Sequence, residues 1–226
     1  MRTEAIKKGQ RQASDKQRMR RKKLIDCGLM CFGEKGIEKT ALSDIASCAQ
    51  IGEATLYRYF SNKENLALEC GIAFWELAAS YYEAVVCRKD YQGKSGIQQI
   101  EELLLATERI YEEHREKMKF LHDLDVFMVS HKMDEEKQKE YEKTVESFMP
   151  LLCNAIEKGK QDGSVSIKAD TREIYYTLTH TILSLLQKMA GMGHILSGDD
   201  QVEEKRRIEL LRLLLLEGLK HEKQDS

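Results

Sequence analysis

A single proline, Pro150, occurs in 226 residues, where average usage of about 5% would give roughly eleven. Turn-rich sandwiches and loop-rich folds draw on proline at many positions, and a chain this poor in it leaves room for long uninterrupted helices. Hydrophobic residues make up 42% and charged residues 33%, enough apolar surface to build a core and too much for a disordered chain. The expected class is all-α, with a length suited to one large or two small domains.

Charge divides the chain. Residues 1–64 hold fourteen Lys/Arg against eight Asp/Glu, a balance of +6, and the remainder carries −8, so the formal net charge of −2 hides a basic end on an acidic body. A basic module joined to a different second domain fits a polyanion partner, and a solvated basic tail fits the charge alone equally well.

No apolar run approaches the roughly 18 residues of a membrane span, and no apolar stretch follows the N-terminal charges as in a secretory signal. A cytoplasmic location and no membrane contact are expected. The cysteines at 27, 31, 48, 70, 87 and 153 form no C-x-x-C pair. Most sit among apolar neighbours, where a free thiol acts as a small hydrophobe. No metal site and no cofactor are expected.

Residues 1–15 are polar and aperiodic and read as a flexible basic arm. Helical periodicity then runs from Lys16 through Leu24, Ile25, Leu29 and Phe32 to a stop at Gly33 and Gly36. Thr40 stands before ALSDIASCA as a candidate N-cap. A break at 50–52 leads into EATLYRYF. Ser61 and Glu64 have the spacing of a capping box opening a long helix through Leu66, Phe74 and Tyr81. Further helical stretches lie at 97–113, 115–131, 135–160, 171–189 and 201–221, with a break at 191–193, for about nine helices.

Two short helices joined by a three- or four-residue turn within about 41–60 make a helix-turn-helix. Its second helix is small enough for the major groove, about 12 Å wide. At the other end, Leu213 to Leu216 cover all sides of a helical turn. Such a helix is either central in a core or shared with a partner, and a homodimer is the better match. The candidate interface is Ile174, Leu178, Ile182 and Leu185 with Leu211, Leu214 and Leu215.

Residues 23–66 resemble the TetR family of bacterial transcriptional regulators. The resemblance rests on Phe32 to Gly36, on Thr40 with Asp44-Ile45-Ala46, and on Thr55-Leu56-Tyr57-Arg58-Tyr59-Phe60 followed by Lys63-Glu64. It implies a three-helix DNA-binding domain at 16–66 and an effector-binding and dimerisation domain at 67–226. It also implies a ligand-responsive repressor acting as a homodimer on a palindromic operator of double-stranded DNA. By the same resemblance, Thr40 caps the first short helix and touches a phosphate. Gly52, Glu53, Ala54 and Thr55 open the recognition helix, and Tyr57, Arg58, Tyr59 and Lys63 meet phosphates or base edges. Leu56 and Phe60 read as plain core.

Two positions depart from the family pattern. Gln50 stands where the turn usually has Gly, and a non-Gly residue at positive φ costs about 1–2 kcal/mol. Gly52-Glu53 replaces a Ser or Thr cap followed by a basic or small residue. Glu53 repels phosphate and can accept from a cytosine amine.

TetR-like bodies take an effector, unknown here. Aromatic and Met side chains on the middle helices are candidates to line its pocket: Trp75, Tyr82, Tyr111, Met118, Phe120, Phe127, Met128 and Phe148. Each also fits ordinary core. Asp123, Asp125, His122 and Glu108 could hold a cation or form a solvated face. The chain carries no phosphate loop, zinc-protease motif or nucleophile elbow, and no enzyme is expected. The alternative reading is a helical DNA-organising or interaction protein without an effector.

Overall fold

The computed structural model describes residues 2–192 and 201–220, with side chains from Asp15 onward apart from Met192. Among the described residues there are ten α-helices, one 3-10 turn and no strand. They are α1 (Arg2–Lys35), α2 (Leu42–Cys48), α3 (Glu53–Tyr59), α4 (Lys63–Val86), the 3-10 turn (Tyr91–Gly93), α5 (Gly96–Glu113), α6 (Arg115–Ser130), α7 (Glu135–Glu146), α8 (Met149–Asp162), α9 (Thr171–Met192) and α10 (Glu204–Lys220). The break placed at 191–193 is corrected up to Met192, since α9 runs on through Gly191, and Gly193 and His221 lie outside the described residues.

Helix α1 starts at Arg2 and is continuous with the segment beginning at Lys16, so residues 2–15 are helical where the sequence reads as aperiodic. Ala, Lys, Arg, Gln and Glu dominate that stretch, and these straight-chain residues lose little freedom in a helix. The helix passes through Gly33 and stops at Gly36, which holds φ +83° while its N–H donates to the Phe32 carbonyl. Leu24, Leu29 and Phe32 of α1 are buried with Ile45, Leu56, Leu66 and Phe74, so α1 and the two short helices after it share one core with the start of α4. Full burial of each such side chain contributes about 1.5–3 kcal/mol.

The stretch at 135–160 divides into α7 and α8, and the proline marks where. Pro150 sits in the first turn of α8, where an N–H has no helical partner and its loss costs nothing. Asp170 caps α9 as its oxygen accepts the Arg172 N–H at 2.8 Å, and the Glu173 carboxylate accepts the Asp170 N–H at 2.8 Å. At α4 the cap is Asn62, whose Oδ1 accepts the Asn65 N–H at 2.9 Å, and Ser61 instead accepts from the Asn65 side chain.

In the body, α5 packs on α8, α7 on α4, and α6 on both α9 and α1. Helix α10 is tied to α5 by Arg212, which donates to Glu108 at 2.8 Å and Glu101 at 2.9 Å. Glu108 is thereby committed to structure and is not part of a cation site. Among the described residues no group of His, Cys, Asp and Glu is placed to hold a metal ion, and no helix is long and apolar enough to cross a membrane.

Candidate functional site

The turn between α2 and α3 is a Schellman motif. The Ile51 N–H donates to the Ala46 carbonyl and the Gln50 N–H to the Ser47 carbonyl, each at 3.0 Å. Gln50 occupies the left-handed position at φ 57°, and so bears the strain that Gly would avoid there. The motif delivers α3 at a defined angle to α2, with Gly52 extended at its N-terminus and no side-chain cap.

Helix α3 has two faces. Leu56 and the adjoining Phe60 are buried. Glu53, Ala54, Tyr57 and Arg58 are exposed, at the i, i+1, i+4, i+5 spacing of one helical face. Tyr57 is 52% exposed. Thr55 and Tyr59 are half-buried, and Tyr59 packs against the core. The outward face therefore offers a phenol, a guanidinium with five donors and a carboxylate, a set able to meet phosphates and base edges. Lys16, Arg18, Arg20, Lys22 and Lys23 are exposed along α1, and Lys39 in the loop before α2.

Two residues assigned to DNA have other work. Thr40 is buried, and its hydroxyl donates toward the Gly36 carbonyl at 2.7 Å and the Cys31 carbonyl at 3.2 Å. It locks the end of α1 and does not cap α2, whose N-cap is Ala41 without a side-chain bond. Lys63 donates to the Ile37 and Glu38 carbonyls at 3.1 and 3.0 Å, clamping the α1–α2 loop to α4.

The body holds a cavity of about 170 Å³ between α4, α5, α7, α8 and α9, with Trp75, Tyr82 and Phe148 in its wall. The Phe148 ring centroid lies 5.6 Å from that of Trp75 and 5.5 Å from that of Tyr82. Helix α9 adds Tyr175, Tyr176 and His180, and α5 adds Thr107, whose hydroxyl is 2.9 Å from the Tyr82 hydroxyl. Burial pushes the Tyr175 phenol up to about 12 and raises that of Tyr82, so both stay neutral. A second crevice of about 470 Å³ shares Trp75, Glu146, Tyr176 and His180, and adds Asp125, Tyr141, Glu142 and Gln187.

The other pocket candidates lie elsewhere. Phe120 stacks on Phe32, with centroids 5.9 Å apart, and joins α6 to α1. Met118 is core, Phe127 stacks on His131, and Met128 packs on the core outside both crevices. Tyr111 is buried and donates to Glu204. Periodicity marked these side chains as buried without saying what they are buried against. The α9 tyrosines were missed because α9 was assigned to the dimer.

That assignment is corrected at three of its α9 positions. Ile174, Leu178 and Ile182 face the chain's own core, each 4% exposed or less. Leu185, Leu211 and Leu215 are half-buried, and Leu214 is 70% exposed beside Leu210 and Leu213.

Residues 24–70 match the model of the bacterial regulatory proteins of the tetR family. No curated protein sequence matches the chain. Among solved structures, the ketosteroid transcriptional regulator KstR2 of Mycobacterium tuberculosis is 18% identical with a TM-score of 0.64, covering 90% of this chain and 96% of that one. The fatty acid degradation regulator FadR from Bacillus halodurans is 19% identical with a TM-score of 0.65, over 90% and 97%. FadR from Thermus thermophilus, a transcriptional repressor solved in complex with lauroyl-CoA, is 17% identical with a TM-score of 0.59, over 91% and 98%. These likenesses establish a shared fold along nine-tenths of the chain, and the motif match covers its helix-turn-helix. Residues 24–70 are thus similar to the DNA-binding region of the bacterial regulatory proteins of the tetR family, on a chain that shares the fold of such regulators.

Proposed function

We propose that the protein is a ligand-responsive repressor that binds a palindromic operator as a homodimer. Residues 16–66 act as the reading head, and 67–226 as the effector-binding and dimerisation body. The observation that carries the reading is α3 itself: Tyr57 and Arg58 stand in solvent while Leu56 and Phe60 hold the helix from behind. Tyr57 sets register on the phosphates, and Arg58 is the one side chain on that face able to bind a guanine edge bidentately. Glu53 discourages phosphate close to the start of α3 and favours cytosine there. Tyr59 and Thr55 orient the helix from its flanks.

A two-fold dimer presents two such helices to half-sites one helical turn apart, about 34–36 Å. The exposed leucines of α10 supply its seam. The aromatic cavity supports an effector, because a ligand that binds one spacing of the heads better than another shifts operator affinity by that difference alone. The relative solved with lauroyl-CoA supports a small molecule with an apolar part. The test is selection of bound duplex from a random pool. Enrichment of a short palindrome supports the reading, and no enrichment by a folded dimer overturns it.

A further inference from the structure

The cavity and the crevice lie side by side, with Trp75, Glu146, Tyr176 and His180 in the walls of both. The cavity is walled by aromatic rings and aliphatic side chains. The crevice carries the carboxylates of Asp125, Glu142 and Glu146, and neither is lined by a Lys or Arg. The Asp125 carboxylate accepts a hydrogen bond from the neutral Gln187 amide at 2.9 Å, and Glu142 accepts one from the Gln138 amide at 2.9 Å. An anionic head group would meet three like charges and no fixed cation. A cationic one would meet three opposite charges at the rim and the faces of Trp75, Tyr176 and Phe148 further in, and ring faces attract cations.

We propose that the cavity and crevice together bind an organic cation with an apolar body, such as an alkylated ammonium, the body among the rings and the charge toward Asp125, Glu142 and Glu146. The proposal rests on the reading of the cavity as the effector site and names its ligand class. Glu142 and Glu146 are exposed at the rim, and burial raises the Asp125 carboxyl pKa while the Gln187 hydrogen bond favours its charged form. The apolar body supplies the affinity, and the charge supplies the choice among ligands of equal size.

The protein holds one tryptophan, Trp75, inside the wall, so its fluorescence reports occupancy without DNA. The probes are decyltrimethylammonium, decanol and decanoate, each below its aggregation limit, with the full-length protein. The expected result is saturable change with the cation at an affinity about tenfold above that of decanol, and decanoate weakest. The variant Asp125→Asn/Glu146→Gln, shown folded by circular dichroism, loses that advantage and binds decanol as before. Equal binding of all three, tighter decanoate, or no change with the cation overturns the proposal. Addition of each probe to the protein–operator complex separates the two readings. Release by decanol or decanoate alone keeps the regulator and removes the cation. Cation binding that releases no operator keeps the ligand class and removes its regulatory use.

Discussion

Lys137 Nζ lies 2.8 Å from Glu69 Oε1, and the other oxygen of the same carboxylate is paired with the Arg21 guanidinium. Glu69 is on α4 with its side chain 6% exposed, Lys137 is on α7, and Arg21 is on α1. Arg21 also lies 5.7 Å from the centre of the Phe60 ring, at the end of α3. One buried carboxylate thus joins the reading head to the helix that forms part of the cavity wall. Removing one member of a buried pair costs about 3–5 kcal/mol, and the two cations keep some water. Glu69→Gln is expected to lose about 2 kcal/mol in urea unfolding. A loss below about 0.5 kcal/mol would show that the junction contributes nothing.

Gln50 tests the turn. Its side chain is exposed and its φ is 57°, so Gly at this position removes strain without removing a contact. Gln50→Gly should stabilise the protein by about 1 kcal/mol and Gln50→Val should destabilise it by a similar amount, read from thermal or urea midpoints. Operator affinity measures whether the strained residue also sets the angle of α3.

The contact of α5 with α8 depends on two glycines. A Cβ on Gly96 would lie 2.0 Å from the Gly159 nitrogen and 2.2 Å from its Cα. Backbone cannot give way as a side-chain tip can, and Gly96→Ala is expected to cost about 3 kcal/mol or more in equilibrium unfolding.

The same junction carries a pH signature. The Asp162 carboxylate accepts from the Gly96 N–H at 2.8 Å and the Ser164 N–H at 2.9 Å. Hydrogen bonds from Ser164, then from the Gly96 N–H, hold its pKa below the ordinary aspartate value. A depressed pKa stabilises the fold above the unfolded value of about 3.9, and that stability is lost as pH falls through the folded value. The stability gap between the protein and Asp162→Asn should therefore be full at neutral pH and shrink below about pH 4. A gap unchanged down to pH 2 would contradict the assignment.

The proposed dimer seam is tested at Leu213 and Leu214, 42% and 70% exposed. Replacing both with Glu removes apolar burial in two copies and places charges against each other. The dimer should weaken by at least about a hundredfold in analytical ultracentrifugation, with the helical circular dichroism unchanged. A dimer of undiminished affinity would move the interface elsewhere.

The legible parts of this molecule are those where local sequence and tertiary setting agree. The left-handed conformation of Gln50 follows the resemblance, in which this turn position usually holds Gly. Leu56 and Phe60 announced the inward face of α3 through spacing, and with it the outward face of Tyr57 and Arg58. Thr40 and Lys63 were misread because their partners, Cys31, Gly36, Ile37 and Glu38, are chosen by tertiary packing and leave no periodic trace. The α9 stripe was read correctly as apolar and wrongly as intersubunit, since spacing marks burial and not its partner. The polar cavity residues of that helix, Thr179 and His180, carry no periodic signal.

The central claim is that α3 reads DNA through two exposed side chains. The most direct measurement is fluorescence anisotropy of a selected palindromic duplex titrated with the protein, with Tyr57→Ala and with Arg58→Ala. Both substitutions fall on exposed positions, so thermal melting should be unchanged within about 0.5 kcal/mol. Loss of a bidentate base contact is worth about 1–3 kcal/mol, and each variant should bind at least about tenfold more weakly, Arg58→Ala with relaxed preference at one base position per half-site. Wild-type affinity in both folded variants would contradict the account.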